Sequence, residues 1–89
     1  MSLPALEDLQ QDDLVLAVAR ALRVANHTAA AAGVPLEESL VTICEESPPP
    51  HRLWRVHYGP REYRPRRGGD FIVFVDEETA SVRRTVRGQ

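Results

Sequence analysis

Leu53-Trp54-Arg55-Val56-His57-Tyr58 decides the fold. Successive side chains of a strand point to opposite faces. Trp54, Val56 and Tyr58 therefore share one face, and Arg55 and His57 share the other. One apolar and one polar face predict an antiparallel sheet covered on a single side. Downstream, Phe71-Ile72-Val73-Phe74-Val75 is the most apolar stretch and is predicted as a central strand. Asp76 to Ala80 reads as a polar turn. Ser81 to Arg87 reads as an edge strand whose arginines discourage further pairing. Upstream, Leu40-Val41-Thr42-Ile43-Cys44 is β-branched and short, a first strand. Ser47-Pro48-Pro49-Pro50 cannot pair in a ladder and reads as a stiff connector.

Before the strands comes one helical pattern. Leu14, Val18, Ala21, Leu22, Ala25, Ala29 and Ala32 recur in steps that make a single stripe, with Arg20, Arg23 and His27 on the other side. Asp12 or Asp13 is a good N-cap, because its carboxylate accepts from the free N–H groups of the first turn. Gly33 suits a left-handed stop, and Pro35 follows it. The spacing predicts a helix over 13–32, with residues 1–11 as a lead-in and a sheet over 40–87. The fold class is α+β: one long N-terminal helix packed on a curved antiparallel sheet of three to four strands. Expected core residues are Leu14, Val18, Leu22, Ala25, Val41, Ile43, Trp54, Val56, Phe71, Val73, Val75 and Val82. The 89 residues form one domain. A homodimer or a bound partner would cover the sheet's other face.

Hydrophobic residues at 43% and charged residues at 27% exclude a disordered tail, a collagen-like chain and a disulfide scaffold. All 11 basic residues are arginine, a usage that with the many alanines and valines suggests a GC-rich bacterial genome. Residues 1–50 carry eight acids against two arginines, and residues 51–89 carry nine arginines against five acids. The net charge of −2 argues against a dedicated nucleic-acid binder. Cys44 is the single cysteine, so no intramolecular disulfide forms. Met1-Ser2-Leu3-Pro4 has no basic n-region before an apolar core, and no apolar run reaches the roughly 20 residues of a membrane span. These features lead to the expectation of a cytoplasmic protein that does not engage membranes.

Catalytic and metal constellations are not found. Cys44 with His51 or His57 lacks the strand-to-helix elbow that exposes a nucleophile. His27, His51, His57 and Cys44 have no CxxC, HxxxH or HExxH spacing. The acid pairs Glu37-Glu38, Glu45-Glu46 and Glu77-Glu78 are adjacent, so their carboxylates diverge. Asn26-His27-Thr28 matches a glycosylation sequon inside a predicted helix and is read as accidental. No catalytic residue, metal ligand or cofactor is assigned.

Arg61-Glu62-Tyr63-Arg64-Pro65-Arg66-Arg67-Gly68-Gly69 is the most unusual segment. Arginine binds carboxylates and phosphates bidentately, and tyrosine stacks on rings. Arg61, Tyr63, Arg64, Arg66 and Arg67 are the candidate partner-binding residues. The competing reading is a solvated loop whose arginines pair with Glu62, Asp70 or the acidic first half.

One further pattern stands out: Trp54-x-Val56-x-Tyr58, a loop, Gly68-Gly69, then Phe71 to Asp76, Thr79 and Val82. It resembles the short bacterial immunity proteins of nuclear-transport-factor-type, cystatin-like fold that are encoded beside polymorphic toxins. It is also similar to PepSY-like modules. The resemblance spans about residues 13–89 and is most specific over 53–89. Ala80 stands where these families place glycine, which makes a positive-φ turn residue less comfortable. The resemblance implies a non-enzymatic protein-binding module, an immunity-type inhibitor that blocks a toxin. Two alternatives stay open. One is a cone-shaped small-ligand module with a pocket at Trp54, Tyr58 and Phe74. The other is an RNA-contacting module using the arginine-rich loop and residues 83–87.

Overall fold

The computed structural model describes residues 12–61 and 70–88. Helix α1 (Asp13–Ala31) leads through a 3-10 turn (Leu36–Glu38) to strands β1 (Ser39–Ser47), β2 (Leu53–Pro60), β3 (Phe71–Asp76) and β4 (Ser81–Arg87). The strands form one antiparallel sheet in the order β1-β2-β3-β4, and α1 lies on one face of it, so the expected α+β class holds.

Both ends of α1 are set by local chemistry. Asp12 is the N-cap, its Oδ1 accepting from the Leu14 and Val15 N–H groups at 3.0 and 3.1 Å. At the other end Gly33 takes φ +87°. There Val34 N–H bonds to Ala29 C=O and Gly33 N–H to Ala30 C=O, both at 3.0 Å. These two bonds make a Schellman stop, and Val34 supplies the hydrophobic contact that accompanies it. Arg87 adds a cap from the sheet, donating to Ala32 C=O at 3.0 Å, where the helix dipole favours a cation.

The helix buries alanines. Ala17, Ala21, Ala25 and Ala29 face the sheet, with Val18, Leu22 and Val24 at the flanks. Trp54, Val56 and Tyr58 of β2 meet them, as do Phe71, Val73 and Val75 of β3. The register places these strands' residues side by side: Trp54 opposite Val75, Val56 opposite Val73, Tyr58 opposite Phe71. Each fully buried side chain of this kind contributes about 1.5–3 kcal/mol.

Two expected core residues lie outside it. Leu14 is 53% exposed, because the line facing the sheet runs through the neighbouring alanines. Val41 is 40% exposed. It sits on the helix side of β1, but α1 rests mainly on β3, β2 and β4 and does not reach far enough to cover it.

Polar bonds tie the layers together. Tyr58 is buried, and its hydroxyl donates to Asn26 Oδ1 at 2.6 Å. Trp54 Nε1 donates to Glu77 Oε1 at 2.9 Å. Arg52 bridges Glu45 and Glu77, each at 3.4 Å, and lies 5.2 Å from the centre of the Trp54 ring. In the β3–β4 turn, Asp76 Oδ1 accepts from the backbone of Glu78 and Thr79 at 2.9 and 3.3 Å. Ala80 closes this turn at φ +51°.

Two outcomes follow from these contacts. Ala80→Gly relieves a left-handed alanine worth about 1 kcal/mol of strain, partly offset by glycine's unfolded-state freedom. A gain of roughly 0.5 kcal/mol, read as a rise of a few degrees in Tm, is expected; a fall in Tm contradicts the turn geometry. Burial pushes the Tyr58 hydroxyl from 10.0 up to about 12. Because the folded value is the higher one, stability is intact below pH 10 and is lost as the pH climbs from 10 towards 12. The chain has no lysine to titrate in that window. Urea unfolding of Tyr58→Phe should show a loss of about 1 kcal/mol at neutral pH and a flatter alkaline limb.

Candidate binding face

The face of the sheet turned away from α1 is built by alternation. β2 presents Arg55, His57 and Gly59 there, and their ladder partners on β1 are Cys44, Thr42 and Leu40. On β3 the same face carries Ile72 and Phe74, opposite Val86 and Arg84 of β4. Among the described residues no helix lies over this face.

Phe74 is 5% exposed although it points away from the core. The Arg84 guanidinium covers it, 4.2 Å from the ring centre. A cation on an aromatic face is held at roughly 0.5–1 kcal/mol when exposed to water. Arg55 stands opposite Phe74 on the other side. The centre of the face is thus one apolar ring between two arginines. Leu40 and Val86 are the exposed apolar residues at its edges.

His57 and Asp70 mark one end, with Nε2 and Oδ2 3.7 Å apart. Beside them, a Cβ on Gly59 would sit 3.1 Å from His57 Cε1 and 3.5 Å from Asp70 Oδ1, so the imidazole would have to give by a few tenths of an ångström. At the opposite end Asp76 pairs with Arg83 at 3.6 Å. The register shift between Phe74 and Val75 leaves Arg83 without a ladder partner.

The residues singled out from the sequence divide. Arg61 is described, and its Nε donates to Ser39 C=O at 3.1 Å, which ties the end of β2 to the start of β1. Tyr63, Arg64, Arg66 and Arg67 lie outside the described residues. The expected pocket of Trp54, Tyr58 and Phe74 is not assembled. Trp54 and Tyr58 are buried under α1, whereas Phe74 faces the opposite side. The reason is parity: Phe74 is three residues from Phe71, and an odd separation on a strand changes face. That signal is readable from the sequence, as is the presence of Arg55 and His57 on the uncovered side. The pairing of Arg84 with Phe74 needs the bulged register and is not.

Cys44 is exposed on this face, opposite Arg55, while His57 stands one step away opposite Thr42. His51 lies instead 3.4 Å from Glu78 at the far hairpin. Among the described residues no three metal-ligating side chains converge. No helix among them is long and apolar enough to cross a membrane. The chain matches no family model, no curated protein and no solved structure.

Proposed function

We propose that this chain is a non-enzymatic protein-binding module of the inhibitor or immunity type, and that the uncovered sheet face docks on an acidic surface of its partner. The observation that carries this reading is the Arg55–Phe74–Arg84 centre, flanked by Leu40 and Val86. Arginine and aromatic residues are enriched at interface centres, where their stems bury area and their guanidinium groups meet carboxylates. Asp70 and Asp76 lie towards the ends of this face, beside His57 and Arg83. The segment that follows Arg61 adds Arg64, Arg66 and Arg67 by sequence.

A protein partner is favoured over RNA by the state of the ring. Single-stranded nucleic acid binds by stacking bases on free aromatic faces. Phe74 is already covered by Arg84, and the other described aromatics are buried under α1.

The test compares the native chain with an Arg55→Ser/Arg84→Ser variant as baits in a lysate of the encoding organism. A protein retained by the native chain, released by high salt and bound about tenfold or more weakly by the variant supports the reading. The variant should melt within a few degrees of the native chain, since one exposed cation–π contact is at stake. Equal retention by both baits, or retention abolished by nuclease, contradicts it.

A further inference from the structure

We infer that the outer edge of β4 takes an added strand, an extended acidic segment of the partner, which enters the uncovered face from that side. The inference rests on the reading of an acidic partner and names the form of its contact. Among the described residues nothing pairs with the outer edge of β4, and every residue of the strand except Val82 is exposed. From Arg84 to Arg87 the ladder with β3 is regular, the irregularity lying on the Val82 side of Arg84. No proline interrupts Ser81–Arg87. A free edge of this kind presents a row of unpaired N–H and C=O groups. An extended peptide binds such an edge by continuing the ladder.

Charge selects the occupant. β4 carries Arg83, Arg84 and Arg87 and no acid. A second β4 laid along it would set arginine near arginine, and the charges that refuse it favour carboxylates. The opposite edge turns the same segment away, because β1 carries Glu45 and Glu46 and no basic residue. Two of the three arginines can receive it. Arg83 is taken by Asp76 at 3.6 Å. Arg84 lies on the Phe74 ring and, among the described residues, makes no ion pair. Arg87 uses one nitrogen on Ala32 C=O at 3.0 Å and stays exposed, and a guanidinium has further donors. Alternation puts Arg84 and Val86 on the uncovered face, with Thr85 and Arg87 on the α1 side. An antiparallel strand added here therefore reads, in its own direction, carboxylate, apolar, β-branched, carboxylate, opposite Arg87, Val86, Thr85 and Arg84. Its apolar residue and second carboxylate lie on the uncovered face. The apolar one covers Val86, now 38% exposed.

The probe is the peptide acetyl-Ser-Glu-Val-Thr-Glu-Ser-amide, titrated into the isotope-labelled chain and followed by NMR amide exchange. Saturable binding is expected, with exchange slowed at alternate amides of residues 84–88 and unchanged along β1. Two altered peptides separate charge from backbone pairing. Lysine at both glutamates reverses the charge. N-methylation of the valine and threonine keeps both carboxylates but removes a ladder donor, because one of any two neighbouring N–H groups points to β4. Each should bind about tenfold or more weakly. Equal binding by the N-methylated peptide, exchange slowed along β1 instead, shifts confined to Arg55 and His57, or no binding up to millimolar peptide overturns the added strand. So does sedimentation of the chain alone as an assembly, which would mean that another copy fills the edge. In each of these cases capture by the Arg55→Ser/Arg84→Ser bait still judges the uncovered face, so the two readings fail separately.

Discussion

Four alanines at four-residue spacing hold this molecule together. Ala17, Ala21, Ala25 and Ala29 bring no bulk of their own, so the helix backbone settles close to the sheet. The volume between the layers is supplied from the other side, by Trp54, Tyr58 and Phe71. Such a helix is narrow. It covers the middle of a four-stranded sheet and leaves β1 overhanging, which is why Val41 remains in contact with water on the covered side. Among the described residues, the reach of one helix thus leaves the far face and the overhanging side of β1 without a covering layer.

Arginine has structural duties here beyond solubility. Arg52 lies by Trp54, Arg87 by Phe71 and Arg84 over Phe74. A planar guanidinium can lie by a ring while its N–H groups reach carboxylates or carbonyls. Arg52 does so towards Glu45 and Glu77, and Arg87 towards the end of α1. Arg84 differs. It covers a ring on the uncovered side, and among the described residues it makes no ion pair. That difference separates an arginine that closes the fold from one available to a partner.

Much of this was legible in the sequence. The alternation around Trp54 placed its side chain under the helix, Asp12 and Gly33 bounded α1, and the strand order followed from short connections. Reading apolar size along the helix shifted the buried line towards Leu14, whereas the spacing of the alanines marks it directly. Val41 was assigned to the core because strand patterns reveal which face a residue takes, not whether the covering layer extends that far. Phe74 was placed with Trp54 and Tyr58 by residue type against its own parity. Ala80 takes the positive φ that the sequence reading held to be less comfortable for alanine than for glycine. Arg55 and His57 were legible as the uncovered side of β2, but the ring under Arg84 depends on a bulge that no local signal announces.

The close approach of α1 is the claim to test first. Denaturant unfolding of Ala25→Leu against Ala30→Leu isolates it, since both add the same side chain to one helix. Ala25 is fully buried and Ala30 exposed. Overpacking at Ala25 should remove about 1–3 kcal/mol, and Ala30→Leu should change stability by no more than about 0.5 kcal/mol. Equal midpoints, or greater damage at Ala30, would contradict a helix seated on its alanines.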